Sequence, residues 1–423
     1  MDKYLMWMVT KNLVFVLILI SFILSAQWSL HSQAAIRDGL PHNSISENRR
    51  AANAGEIDSA IVLAEAYLIR TCGSNGRFVY RVETDAGVIN SSYNIIRHAG
   101  AMYALGSLYR VRPDAQTASA LVRSATYLTQ KYIAPGPRPG QLTVWSRPVS
   151  RVSDADLGAT GLALAAFAEV NQARPGTVPT SRMQALGRFL LFLQKDDGSF
   201  YSKYRTAAGP DGEWESLYYP GEAALGLIAL YETDHSKEWL FAAAKALAYL
   251  AHVRQGLPDA SIPPDHWALI ATARLLPHCT DYTCPVSRAV LIAHAEKVCR
   301  SLLQGQLIHP AMPSLDGSFD TTGRTAPTAT RMEGLLAALE FLPNKENADL
   351  RARVEDAAEH GVAFLLRAQV HSGPFAGGVP GAVGIGSKAS SEIRIDFVQH
   401  ALCAWLRYQG ILRSSVSKIS SAT

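Results

Sequence analysis

The chain has 423 residues, of which 48% are hydrophobic and 18% charged, and a formal net charge of +4. A chain of this length and apolarity can bury a large core, which excludes an intrinsically disordered tail. The small charge, with no long Lys/Arg block, leaves no footprint for a nucleic-acid partner.

Lys3 and Lys11 precede an uncharged, strongly apolar run from Leu13 to Leu24. A basic start followed by such a run reads as a signal peptide, with Ser32-Gln33-Ala34 as a small-residue cleavage site. Counted from Leu5, with Lys11 tolerated, the run approaches membrane-spanning length, so a retained signal anchor is the equal alternative. Residues 1–31 are assigned to this segment, 32–54 to a polar linker, 55–412 to the body and 413–423 to a polar tail. Either reading exports the body to a periplasmic or extracellular location, tethered to the membrane if the segment is kept.

Within the body one pattern returns roughly every fifty to seventy residues, the kind of period that marks repeated supersecondary units. Each unit has an amphipathic helix, a loop carrying Gly and often an aromatic, and a more apolar helix rich in Ala, Gly and Leu. The helical spacing pairs residues 57–70 with 98–109, 115–132 with 157–170, 182–194 with 223–231, 237–255 with 266–276, 286–304 with 332–341, and 350–369 with 395–408. Second members such as Gly158-Ala-Thr-Gly-Leu-Ala-Leu-Ala-Ala are too apolar to face water and small enough to pack closely. They fit an all-α fold, a single (α/α)6 toroid of six helical hairpins, behind the N-terminal hydrophobic export or anchor helix. An open solenoid would need polar capping faces, whereas the last helix carries Phe397, Leu402, Trp405 and Leu406.

The stretch Leu193-Gln194-Lys-Asp-Asp-Gly-Ser-Phe200, echoed at Gln304-Gly-Gln306 and Gln369-Val-His-Ser-Gly-Pro-Phe375, resembles the repeats of α/α-toroid proteins. That group includes the six-hairpin glycosidases, several polysaccharide lyases, uronyl epimerases and terpenoid cyclases. The resemblance covers nearly the whole body as architecture and singles out no specific family. It implies a fold that hosts many chemistries, so activity must be argued from residues.

In such a ring the N-termini of the six inner helices gather at one mouth. The expected openings carry Tyr93, Asn94, Arg97 and His98; Asp154 and Asp156; Tyr218, Tyr219 and Glu222; Asp265, His266 and Trp267; Arg331 and Glu333; and Arg394, Asp396, Gln399 and His400. An acid in a first helical turn ordinarily caps amides, which is the plain reading of Asp156 and Asp265. A cation there opposes the helix dipole, so Arg97, Arg331 and Arg394 either pair with Glu222, Glu333 and Asp396 or hold an anionic ligand.

Glycoside hydrolysis needs two carboxyl groups flanking the bond; Glu222 and Asp265 are the candidate pair, with Glu333 and Asp396 in reserve. Proton transfer in a uronate lyase or epimerase would instead use Tyr or His beside an arginine, a role open to Tyr93, Arg97 and His98. Tyr93, Arg97, Tyr218, Tyr219, His266, Trp267, Arg331, Arg394 and His400 are the expected substrate contacts. The leading expectation is an exported, carbohydrate-active, hydrolase-like enzyme acting on a polysaccharide or oligosaccharide, anionic ones included. The alternatives are a non-catalytic glycan-binding or envelope scaffold and a uronate lyase or epimerase. No HExxH or CxxC pair occurs, and no metal or cofactor is expected. Cys279 and Cys284 stay open between a disulfide, thiols and a zinc site.

Overall fold

The computed structural model describes residues 53–151, 154–279, 284–343, 346–384 and 388–420. The expected export or anchor helix lies outside these residues. No described helix is long and apolar enough to cross a membrane.

Twelve described helices pair into six hairpins. α1 (Ala54–Thr71) precedes α2 (Ile95–Val111), and α3 (Ala115–Tyr132) precedes α4 (Leu157–Ala173). α5 (Thr180–Leu193) and α6 (Tyr219–Asp234) form the third pair, α7 (Lys237–Arg254) and α8 (His266–Leu275) the fourth. α9 (Arg288–Leu302) with α10 (Thr325–Ala338) and α11 (Ala348–Ala368) with α12 (Ile395–Ser420) complete the set. Each even-numbered helix packs on the next, and α12 packs back on α2, so the inner layer closes on itself. The closed toroid is therefore found, and the open solenoid is not.

Sequence pattern separates the layers. α3 buries Thr117, Ala120, Leu121, Ser124, Ala125 and Leu128, a single stripe at helical spacing that suits an outer helix. α4 buries nearly every residue from Leu157 to Phe167 and cannot touch water on any side. Backbones of inner neighbours meet directly: a Cβ added at Gly226 would stand 2.2 Å from the carbonyl oxygen of Gly161. Only glycine allows that approach.

The repeated Gln-and-Gly loop motif is a staple between successive outer helices. Gln194 Nε2 donates to the Ala242 carbonyl at 2.8 Å, Gln306 to Ala357 at 2.9 Å and Gln369 to Ala60 at 3.0 Å. One turn further along each receiving helix, a loop glycine of positive φ (Gly198, Gly317, Gly377) lies against the carbonyl of Lys245, His360 or Leu63. The third staple joins α11 to α1 and closes the outer layer.

Short antiparallel strands occupy the outer-to-inner connections. β1 (Arg81–Glu83) and β2 (Val88–Ile89) follow α1; β3 (Ile133–Pro135), β4 (Leu142–Val144) and β5 (Asp154–Asp156) follow α3; β6 (Lys203–Arg205) and β7 (Gly209–Pro210) follow α5; β8 (Glu392–Arg394) precedes α12. The sheets run β2-β1-β8, β3-β4 and β5-β6-β7. Val82 opposite Ile393 in the β1–β8 ladder ties the first unit to the last at the mouth.

Several boundaries differ from expectation, and two of them matter most. α10 begins at Thr325, not 332, because Pro327 is tolerated in a first turn whose amides have no intrahelical partner. Arg331 and Glu333 are thus about two turns inside the helix rather than at its opening. α12 continues to Ser420 where a tail was expected. Cys279 and Cys284 form a disulfide with Cα atoms 5.0 Å apart, while Cys72, Cys299 and Cys403 are buried thiols.

Candidate active site

A cavity of about 310 Å³ opens at the inner-helix N-termini and is lined by eight of the expected residues: Arg97, Tyr218, His266, Trp267, Arg331, Arg394, Asp396 and His400. His266, the first residue of α8, and His400, in the second turn of α12, form its floor, with ring centroids 5.4 Å apart at 77°.

The two imidazoles have different partners. His400 Nδ1 lies 2.7 Å from Glu333 Oε2 and 3.1 Å from Gln399 Nε2. The shorter, charge-assisted contact to the carboxylate decides the tautomer: Nδ1 carries the proton and Nε2 keeps its lone pair. His266 is 2% exposed and neither ring nitrogen has a hydrogen-bond partner. Burial first, then the charges of His400, Arg97 and Arg331, hold its pKa well below the usual imidazole value. It is therefore a neutral base at pH 7.

His266, Glu333 and His400 bring ligand-type atoms within 4.8 Å of one another, a set that a divalent ion accepts. Arg97 and Arg331 act electrostatically on His266, however, and a cation entering there would meet their field. The surroundings favour developing negative charge instead.

Asp396 receives two hydrogen bonds from Arg394, at 2.9 and 2.5 Å, and faces Arg97 at 3.3 Å. Burial alone would raise its pKa, but these guanidinium contacts keep it below the ordinary carboxylate value. Arg331 differs: its Nη1 donates to the Pro327 carbonyl at 3.3 Å and its buried Nε has no partner. Its guanidinium sits 5.3 Å from the centre of the Phe319 ring.

Several expected residues do not reach this cavity. His98 is a satisfied core residue, which corrects its catalytic assignment. Its Nε2 donates to the Ser124 carbonyl at 3.0 Å, and Tyr93 donates its hydroxyl to Nδ1 at 2.7 Å. Burial takes the His98 pKa down to about 4. Tyr93 is engaged by this bond and does not line the mouth. Asp265 caps Ala268 N at 3.1 Å and pairs with Arg254 at 2.9 Å, a structural role that removes it from the hydrolytic pair.

Glu222, 2% exposed, lies where a Gly158 side chain would be, with Gly158 and Tyr219 beside its carboxylate. Its Oε2 has no hydrogen-bond partner, and burial, outweighing the pull of Arg97, raises its pKa to about 7. It does not line the mouth cavity, and neither does Tyr219. Asp156 makes no cap; it accepts from Ser146 Oγ at 2.7 Å and faces Lys203 at 3.5 Å. Of the two readings of Arg331, a pairing with Glu333 is not found among the described residues, and Glu333 is held by His400.

Arg324, Thr330 and Phe397 line the mouth without having been foreseen. Arg324 and Thr330 lay outside the predicted span of α10, and nothing local marks them.

A second, larger cavity of about 470 Å³ opens at the opposite end of the ring, among the C-terminal halves of the inner helices. Here Arg110 meets Glu169 at 2.9 Å, and Arg274 meets Glu232 at 2.5 Å and Glu169 at 3.6 Å. Arg407 pairs with Glu340, and His278 faces Glu232 at 3.1 Å. Cations suit helix C-termini, and each of these arginines has a glutamate, although among the described residues Glu169 Oε1 and Oε2 and Arg274 Nη1 make no hydrogen bond.

No protein-family model matches the sequence, and no curated protein matches it. Solved structures do. A cellobiose 2-epimerase from Bacillus thermoamylovorans superposes with a TM-score of 0.61 at 11% identity, over 84% of this chain and 98% of its own. A D-mannose isomerase gives 0.58 at 10% identity, over 86% and 99%. An α-1,6-mannanase of a Salegentibacter species gives 0.55 at 13% identity, over 85% and 99%. At these identities the likeness is one of fold: the chain is an α/α toroid, the architecture its loop motifs resemble.

Proposed function

We propose that this chain is a sugar isomerase or epimerase, moving a proton at the carbon beside the carbonyl of an open-chain sugar. The observation that carries the reading is the pair of histidines on the cavity floor, one neutral and unpartnered, the other oriented by Glu333. His266 would take the proton from the carbon and the arginines would stabilise the enediolate oxygen. The His266 imidazolium would then give the proton back to the neighbouring carbon. For epimerisation, His400 would instead first take up a proton from solvent at Nε2 and deliver it from its own side, while His266 releases its proton to solvent. The names of two fold relatives, a cellobiose 2-epimerase and a D-mannose isomerase, agree with a sugar substrate. The apolar N-terminal run supports action outside the cytoplasm.

Hydrolysis is less well supported, because it needs two carboxyl groups at the bond. Among the described lining residues only Asp396 is a carboxylic acid, and Arg394 and Arg97 already hold it.

The test is exchange in D₂O. Incubation with a panel of aldoses and ketoses should place deuterium at the carbon next to the carbonyl, read by NMR. His266→Asn and His400→Asn should each lower the exchange rate by about 10²–10⁴-fold with unchanged circular dichroism. Full exchange in either variant would remove the two-histidine mechanism.

A further inference from the structure

The mouth cavity has an excess of positive charge that its own acids do not cancel. Arg97, Arg324, Arg331 and Arg394 line it against Asp396 alone. Asp396 is consumed by two of them, Arg394 and Arg97, and Arg394 also has Glu392, which does not line the cavity, at 3.8 Å. Among the described residues, no carboxylate forms an ion pair with Arg331 or Arg324. Asp320, which acts on both Arg324 and Arg331 without an ion pair to either, is hydrogen-bonded to the Thr322 hydroxyl and to the Thr322 and Arg324 amides.

Arg331 is the telling residue. It is partly buried and stacked on Phe319, and it has given up hydration while gaining one long carbonyl contact. Its place two turns inside α10 rules out a helix C-terminus as its counter-charge. A desolvated cation kept without a partner is costly unless another molecule supplies the partner. The guanidinium is a planar fork that matches a carboxylate or a phosphate in two parallel hydrogen bonds.

We infer that the sugar bound here is anionic, and that Arg331 holds its acidic group while the carbonyl end lies over His266 and His400. A cavity of about 310 Å³ is near the lower limit for small-molecule sites, the size of a monosaccharide rather than a polymer. An anion at the far end of a six-carbon chain, as in a uronate or a sugar 6-phosphate, separates the charge from the reacting carbon. Arg324 at the rim would steer either one inward. This inference rests on the proposed function for the orientation of the substrate, but not for the charge of the ligand.

The experiment is direct binding to the full chain by calorimetry, with D-glucuronate, D-glucose 6-phosphate and D-glucose as probes. At low salt the wild-type protein should bind one of the two anions at least tenfold more tightly than D-glucose, and the preference should shrink as salt rises. Arg331→Met should bring the preference close to one, and Arg331→Lys should restore part of it. The uronate and phosphate arms identify which anion is read. Equal affinity for D-glucose and both anions in the wild type overturns the inference and needs no variant to fold. Deuterium exchange is scored separately: exchange on neutral sugars without charge preference removes the inference alone, and Arg331-dependent anion binding without exchange removes the proton-transfer reading alone.

Discussion

The two ends of the ring axis are alike in composition and opposite in bookkeeping of charge. Both hold a cavity, arginines and buried acids. At the C-terminal end Arg110, Arg274 and Arg407 each meet a glutamate, and His278 shares one of them. At the mouth Asp396 serves two arginines and, among the described residues, Arg331 has no carboxylate in an ion pair and His266 no hydrogen-bond partner. The larger cavity is the one whose charges are paired, although Glu169 Oε1 and Oε2 and Arg274 Nη1 make no hydrogen bond there. The mouth differs in holding an imidazole without a hydrogen-bond partner and a guanidinium without a carboxylate, a pattern that functional sites keep more often than scaffolds do.

The comparison can be broken by changing one member at each end. Glu222 gives the largest expected effect on stability, as the mouth-side acid with an unpartnered oxygen. Its folded pKa of about 7 lies above the ordinary 4.5, so its contribution is complete below pH 4.5 and is lost as pH rises through about 7. That loss is on the order of 3 kcal/mol. Buried His98, His266 and His294 have lowered pKa values and destabilise in the opposite sense as pH falls below 6.5. The difference between wild type and Glu222→Gln cancels them. Urea midpoints at pH 4.5, 6 and 8.5 should show the variant gaining on the wild type at each step; parallel profiles would mean that Glu222 is ionised without cost.

Glu232→Gln tests the paired end. Arg274 would lose its bidentate partner and His278 its acceptor, and the protein should lose about 2 kcal/mol at pH 7, read as a shift in urea midpoint. No shift would show that the C-terminal network is not structural.

Arg331→Met is the matching change at the mouth. Because no ion pair is lost and a desolvated cation is removed, stability should change by less than about 0.5 kcal/mol, or rise. A loss as large as that of Glu232→Gln would assign Arg331 to the scaffold and erase the contrast between the two ends.

Much of the fold was legible from residues alone. The stripe on α3 and the uniform apolarity of α4 assigned them to outer and inner layers. The Gln-and-Gly loops carried the resemblance to toroid repeats, while their role as staples is seen only in the carbonyls they meet. Arg97, Tyr218, Arg394 and Asp396 were found at the mouth because helix starts are signalled locally. Arg324 and Thr330 were missed because a polar Thr-Ala-Pro-Thr-Ala-Thr run does not look like an inner helix, and the same error put Arg331 and Glu333 at an opening they do not occupy.

The sequence by itself determined most of the helices, their pairing and many of the residues that gather at the inner-helix N-termini, since periodicity, glycine placement and helix starts are short-range properties. Only the tertiary structure separated His98 from His266 and His400. All three lie on inner helices near their N-termini, but one turns outward to Ser124 and Tyr93 while the others face the axis. A helix buried on every side has no amphipathic stripe to say which direction is inward. Charge compensation is likewise long-range: Glu169 lies 59 residues from Arg110 and 105 from Arg274, and Glu333 lies 67 from His400. Whether a buried charge has a partner is decided by where the ring closes.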